Sequence, residues 1–354
     1  MSKTEGHSQE RPRKRRRVTL AATASVVAAA VAATVAGCSL GVDKDGDPAE
    51  NPTQNPAQVQ AETVAREFLD AYGRFDADTA ITHLTDDALV QAFETPEQLR
   101  LEFAWQRANG YKQTINDCSK DGDSTSRVSV TCTFDLHSVR SDEIGLGPYS
   151  GNNWYLTVSD GKIVSAELDT SFDPSGFGDQ MWRSFAAWVT NEHPADVLAM
   201  WTDENQTTHR ASKDSVRLWE QRTAEYVTVV KQDPAAHLDQ PEVAGYVAQL
   251  DSMCAAGQAK VREEIHAIPQ SDQPAVIEAR DRIMRETISE LPRASVPDAV
   301  RWPYVGRVFP LMEKFYEFEK FNGDAQPPHN KQPPEWLARQ IQQTPGLDKC
   351  IFPV

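Results

Sequence analysis

Alternation of apolar and polar side chains is clearest in one stretch of the chain, between residues 111 and 168. Leu99, Leu101, Phe103 and Trp105 also alternate, so a strand is possible there, but Pro96-Glu97 favours the start of a helix. Residues 127–137 alternate cleanly, and two further runs, 153–158 and 162–168, flank Asp160-Gly161. An Asp-Gly pair between alternating runs is typical of a β-hairpin with a type I′ turn. The sequence therefore predicts an antiparallel sheet of neighbouring strands in this stretch.

Apolar side chains at helical spacing dominate the rest of the chain. Before the strands, we predict one helix on the face shared by Val64, Phe68 and Tyr72, a short one near Ile81, and a third from Pro96. After the strands, helical patterns cover residues 182–189, 243–268, 274–291, 305–321 and 334–343. These patterns predict an α+β fold, with helices on one face of a curved antiparallel sheet, followed by a mostly α-helical C-terminal domain whose tryptophans lie in its core.

Part of the first helical pattern recurs 117 residues later. Of six matched positions four are identical, namely the pairs Arg66/Arg183, Phe68/Phe185, Thr85/Thr202 and Asp86/Asp203. A degenerate second copy of the opening helices would explain the similarity, and so would chance resemblance between two helical hairpins. Because no strand pattern follows Asp203, the sequence favours the second explanation.

The N-terminal 38 residues have the layout of an export signal. A basic run at residues 11–17 precedes an uncharged apolar segment at 18–37, which ends in Val35-Ala36-Gly37-Cys38. This ending resembles the lipobox of bacterial lipoproteins, in which the cysteine is lipidated and becomes the first residue. The resemblance implies a signal peptide at 1–37 and a lipid on Cys38, followed by a Pro-rich, polar tether at 38–58. An uncleaved membrane anchor is the alternative, and it also exports the rest of the chain.

The four cysteines other than Cys38 also suit an exported protein, because an even number can pair in an oxidising compartment. Three pairings are possible, and the spacing favours Cys118 with Cys132 and Cys254 with Cys350. Four unpaired buried thiols are the alternative.

The charge of the chain limits its partners. The net charge is −16, although the N-terminal segment is basic. An acidic protein is repelled by nucleic acid, so we expect no nucleic-acid partner. The sequence also contains no CxxC, HExxH, GxSxG or phosphate-binding glycine loop, and we therefore expect no metal and no cofactor.

The chain resembles the nuclear transport factor 2-like (NTF2-like) superfamily in three segments, 65–72, 76–80 and 84–88, and in the terminal hairpin. This superfamily includes SnoaL-like cyclases and ketosteroid isomerase. The resemblance covers about 110 residues, and it implies an NTF2-like domain at 59–175 that forms a cone with an apolar pocket. Residues 176–354 would then form the helical domain.

Enzymes of this superfamily place an Asp or His inside the pocket. Candidates for such a role are His83, Asp135 and His137, with Tyr111, Asp117 and Tyr155 as further polar groups of the same segment. Because Asp135 and His137 share the polar face of their predicted strand, we expect that face to be solvated. The favoured function is a lipid-anchored envelope protein that binds an apolar small molecule or another envelope protein, and the alternative is a cyclase- or isomerase-type pocket enzyme.

Overall fold

The structure, a computed structural model, describes residues 56–121, 126–170, 176–269, 271–320 and 335–351. The predicted signal peptide, Cys38 and the tether up to residue 55 lie outside the described residues. Helices and strands of the first half are α1 (Pro56–Gly73), α2 (Ala77–His83), α3 (Asp86–Phe93), α4 (Pro96–Ala108), β1 (Lys112–Asp121), β2 (Val128–His137), β3 (Tyr149–Ser159) and β4 (Lys162–Asp169). Helix α1 begins inside the segment predicted as tether, because Pro56 suits a first helical position.

Side-chain caps determine where the short helices begin. The carboxylate of Asp76 accepts a hydrogen bond from the backbone N–H of Thr79 at the start of α2. The hydroxyl groups of Thr85 and Thr95 cap α3 and α4 in the same way. The sequence pattern predicts three helices before the sheet, whereas the structure has four. Thr85 starts α3 directly after α2, so that the chain turns twice within a few residues.

The sheet is antiparallel, with the strand order β1-β2-β3-β4. The alternation predicted for β2 is confirmed, because every second residue from Val128 to Leu136 is buried. Asp160 and Gly161 have φ angles of 51° and 74°, as a type I′ turn requires. The helices pack on one face of the sheet and leave the opposite face to solvent, and the predicted α+β class is therefore confirmed.

Aromatic side chains fill the space between the sheet and the helices. Trp154 of β3 lies 4.8 Å from Tyr72 and 5.9 Å from Phe68, measured between ring centroids. Phe103 of α4 packs edge-on against Tyr72 at 4.9 Å. All four side chains are at most 2% exposed, and edge-to-face contacts of this kind stabilise a core beyond the burial of area.

The second half is helical, as the sequence predicts. Its helices are α5 (Arg183–Glu192), α6 (Val197–Met200), α7 (Lys213–Val230), α8 (Pro241–Ala267), α9 (Gln273–Ser289), α10 (Arg301–Pro303), α11 (Phe309–Lys320) and α12 (Glu335–Gln342). A π-helical turn precedes both α5 and α11. Trp188, Trp201 and Trp219 are at most 1% exposed, so the predicted core role of these tryptophans is confirmed.

One pair of helices, α4 and α7, begins at matching positions when the chain is shifted by 117 residues. The starts of α1 and α5 and of α2 and α6 do not match, and residues 203–210, which correspond to α3, contain no helix. Leu84 and Trp201 correspond under this shift, and each forms an isolated β-bridge, with Ile163 and His209 respectively. Helices α4 and α7 each begin after a hydroxyl cap. The correspondence is limited to α4, α7 and the two bridges, so chance resemblance between two helical hairpins stays the favoured explanation. Helix α8 follows α7 where a copied sheet would begin.

Two disulfide bonds connect the cysteines in the pairing that the spacing favours. Cys118 and Cys132 face each other across β1 and β2, with their Cα atoms 4.0 Å apart. Cys254 of α8 is bonded to Cys350, 96 residues later. Among the described helices, none is both long and apolar enough to cross a membrane.

Candidate functional site

Asp135 and His137 lie on the outer face of β2, opposite the face that α1 covers. The residues on either side of Asp135 are buried, whereas Asp135 and His137 are partly exposed. Asp135 accepts a hydrogen bond from the Asn116 side chain at 3.0 Å. His137 Nδ1 lies 3.2 Å from the Ser141 hydroxyl, and burial lowers the pKa of the ring, which favours its neutral form. The structure therefore places this pair outside the interior, on the face that the sequence predicts to be solvated.

The remaining candidates are dispersed. His83 Nδ1 lies 3.9 Å from a carboxylate oxygen of Glu67, while Asp117 and Tyr155 are exposed on the outer face of the sheet. Tyr111 is buried, and its hydroxyl donates a hydrogen bond to Gln113. The candidates predicted from the sequence therefore do not form one site.

Several polar side chains of the interior form hydrogen bonds with one another, although Gln106 Oε1 has no hydrogen-bond partner among the described residues. Gln106 Nε2 donates a hydrogen bond to the Tyr72 hydroxyl, and Gln113 Nε2 donates one to the carbonyl oxygen of Leu69 at 2.8 Å. Burial raises the pKa of both Tyr72 and Tyr111 well above the ordinary value for tyrosine. A tyrosine held in its protonated form cannot act as a general base near neutral pH.

A chain of polar contacts leads from this interior to the junction between the two halves. Gln106 also donates to one carboxylate oxygen of Glu102 at 3.3 Å, and the other oxygen lies 2.8 Å from His209 Nε2. The imidazole ring of His209 stacks on the indole of Trp105, with 3.6 Å between centroids and 6° between planes. Glu102 and His209 are 107 residues apart in sequence, and no motif connects them. Sequence reasoning therefore missed this contact.

The loop that carries His209 is fixed by its own polar side chains. The carboxylate of Asp203 accepts hydrogen bonds from the backbone N–H groups of Thr207 and Thr208. Although burial opposes the shift, these bonds hold the pKa of Asp203 below its ordinary value. Trp182 Nε1 donates to a carbonyl of the same loop at 2.7 Å. The contact between His209 and Glu102 thus joins two elements that are each held in place, which is typical of a structural connection.

A groove of about 550 Å³ opens between α1 and the outer edge of β1. Its floor contains Leu69, Gly73 and Ile115, and its rim is charged. Two of the rim charges are paired within the chain, because Arg66 contacts Glu62 at 3.0 Å and an ion pair also forms between Arg74 and Asp70. Glu67 on the rim lies 3.9 Å from His83 Nδ1. The groove therefore combines an apolar floor with a rim of charged side chains.

Comparison with known proteins adds no relative: the chain matches no family model, and no curated protein matches it. The residues and contacts of the chain itself are therefore the basis for assigning a function.

Proposed function

We propose that this protein is an exported lipoprotein that acts as a non-enzymatic interaction module at the extracytoplasmic face of the cell membrane. In this proposal Cys38 carries the lipid, and the segment from Cys38 to the start of α1 at Pro56 is a tether that lifts the folded part away from the membrane surface. An NTF2-like domain at 59–175 and the helical domain at 176–354 then present a binding surface to a partner in the envelope.

Two features of the chain support export, the layout of its N-terminal segment and its disulfide bonds. The basic run, the apolar segment and Cys38 stand in the order of a lipoprotein signal. The other four cysteines form two disulfide bonds, which persist in oxidising compartments and are rare in the cytosol. The proposal assigns the fifth cysteine, Cys38, to lipidation.

The order of elements supports an NTF2-like domain. Helices α1–α4 precede an antiparallel meander of four strands and pack on one of its faces. Helix α1 supplies Phe68 and Tyr72, which contact the centre of the sheet at Trp154. The NTF2-like resemblance of the sequence implies this arrangement of a leading helix over a curved sheet.

One observation carries the non-enzymatic part of the proposal: the side chains of Phe68, Tyr72, Phe103 and Trp154 fill the space where an enzyme of the cyclase or isomerase type would hold its substrate. The acid–base candidates Asp135 and His137 lie on the opposite face of the sheet. A filled interior favours binding at an outer surface over binding in an internal pocket.

Mass spectrometry of the protein from membrane fractions tests the anchoring. We expect a mature chain that begins at Cys38 and carries the mass of a lipid group, and we expect Cys38→Ser to be unlipidated and released from the membrane. An intact Met1 with an unmodified Cys38 would overturn the proposal. Solvent extraction of the purified protein tests the mode of binding, because a stoichiometric apolar small molecule in the extract would show an internal pocket instead.

A further inference from the structure

The second half of the chain holds a loop of the first half by hydrogen bonds to its backbone. This loop, residues 141–147, follows β2, and we call it the latch loop. Lys314 Nζ of α11 donates to the carbonyl oxygens of Gly145, at 3.1 Å, and of Gly147. Because the carbonyl groups of a covered loop need partners outside regular secondary structure, these bonds fix the position of the latch loop.

Further side chains of the second half contact the same loop. Arg307, in the π-helical turn before α11, donates from Nε to the carbonyl oxygen of Ile144 at 3.3 Å. The indole of Trp336 in α12 lies against Gly145, where an added Cβ atom would be 3.2 Å from the ring. The latch loop is therefore a contact between the two halves, held by α11 and α12.

The imidazole ring of His137 packs against both ends of the latch loop. Its Nδ1 atom lies 3.2 Å from the hydroxyl of Ser141, a fully buried residue. At the other end, a Cβ atom added to Gly147 would be 2.8 Å from the same nitrogen, so the backbone there touches the ring. A hydrogen bond connects the ring to the backbone of Leu146. The ring and the latch loop therefore cannot change position independently.

Charged groups from three elements face this ring. Lys112 of β1 stands opposite His137 in the register of the two strands, and Lys314 approaches from α11. Asp142 is the acidic group of the latch loop that faces the ring, and it also forms an ion pair with Lys112. The ring thus lies among two positive charges and one negative charge.

These surroundings disfavour a proton on His137. Burial is the largest cause and the two lysines add to it, whereas Asp142 and the hydrogen bond to Leu146 act in the opposite direction. The next charged groups along the chain, Arg140 and Glu143, pair with each other at 2.9 Å. The pKa of His137 is consequently lowered while the latch loop is in place.

We propose that the latch loop opens when His137 binds a proton, and that acidic pH thereby loosens this contact between the two halves. Near neutral pH the ring is uncharged, and the loop stays on Lys314 and Trp336. At acidic pH water stabilises the charged ring, and water reaches it when the loop moves away from α11. By linkage, a proton that binds weakly to the closed form favours the open form.

A second contact between the halves has the opposite electrostatics. His209 Nε2 lies 2.8 Å from a carboxylate oxygen of Glu102, so a positive charge on this ring has a negative partner. The halves therefore stay joined at His209 while the latch loop opens. An exported protein meets the pH of its surroundings directly, and such a latch would change the surface that it presents. The inference goes beyond the proposed function, and its test does not depend on the lipid anchor.

Hydrogen exchange of the full chain in detergent micelles, compared at pH 7 and pH 5 and corrected for the intrinsic exchange rate at each pH, tests the proposal. The amides of Glu143, Gly145 and Leu146 donate hydrogen bonds within the loop region, so their protection reports its closure. We expect this protection to fall several-fold at pH 5, with a limit of about tenfold for each unit by which closure lowers the pKa of His137. Protection of residues 201–210, around His209, should not fall.

Matched variants assign the effect to one ring. His137→Gln keeps a polar side chain that binds no proton, and it should make the corrected protection of the latch loop independent of pH. His83→Gln is the control, because His83 lies beside Glu67 within the first half, and it should leave the pH dependence unchanged. Asp142→Asn removes the carboxylate that favours the charged ring and should enlarge the loss of protection.

A titration of the His137 ring by nuclear magnetic resonance gives an independent measurement. We expect its pKa to lie below the ordinary value of about 6.5 in the wild type. A pKa at or above that value would overturn the proposal, and so would an equal loss of protection in His137→Gln or a gain of protection at pH 5. Loss of protection along the whole chain would show global unfolding instead of a local opening and would refute the latch.

Discussion

Replacing His209 should destabilise the whole protein, because this residue joins its two halves. Stacking on Trp105 at 3.6 Å contributes about 0.5–1.5 kcal/mol. A hydrogen bond to a carboxylate contributes about 1.5–3 kcal/mol when buried, but the side chains of His209 and Glu102 are 19% and 22% exposed, and water replaces part of that contribution. We therefore expect His209→Ala to lower the free energy of unfolding by about 2–3 kcal/mol, and His209→Phe, which keeps a ring for stacking, by about 1–2 kcal/mol.

Urea unfolding, followed by both tryptophan fluorescence and far-ultraviolet circular dichroism, measures these differences. A double-mutant cycle of His209→Ala with Glu102→Gln should give a coupling energy of about 1 kcal/mol. His83→Ala is the matched control, because His83 is also half-buried but lies 3.9 Å from its nearest carboxylate, and its change should stay within about 0.5 kcal/mol. If both His209 variants also stay within that limit, or if the coupling vanishes, the contact does not hold the halves together and the reasoning is refuted.

Three further predictions concern single features of the fold. Asp203→Ala should cost about 1–2 kcal/mol at neutral pH because it removes two bonds to backbone N–H groups. Because the pKa of Asp203 is lowered in the folded protein, this contribution is present above about pH 3.9 and is lost as the pH falls below that value. In urea unfolding, the difference in the free energy of unfolding between variant and wild type should therefore be smaller at pH 3 than at pH 7. Cys118→Ser combined with Cys132→Ser should lower the free energy of unfolding by about 3 kcal/mol, because the bond closes a loop with a sequence separation of 14; an unchanged thermal midpoint would contradict this. Burial lowers the pKa of His137 in the folded protein, so the unfolded chain binds a proton at this residue first as the pH falls below about 6.5. The wild type therefore loses stability between pH 7 and pH 5 through this residue, and the His137→Gln variant should lose less. Thermal unfolding at the two pH values measures this, and an equal loss in both proteins would contradict the prediction.

The sequence by itself determined the local structure of this protein. The strict alternation in β2 predicts which residues are buried, because side chains of a strand point to opposite faces in turn. The Asp160-Gly161 pair predicts the hairpin because both residues tolerate a positive φ angle. The spacing of Cys118 and Cys132 predicts their disulfide because a hairpin brings such positions into register.

Only the tertiary structure decided which of these elements meet and what they leave open. The filling of the interior by Trp154 and Tyr72 depends on how α1 packs across the sheet. The contact between Glu102 and His209 depends on how the two halves pack against each other. The open edge of β1 follows from the order of strands in the sheet. Periodicity and turn chemistry act between near neighbours and are written in the sequence, whereas contacts between distant residues depend on the packing of whole elements, which no local pattern encodes.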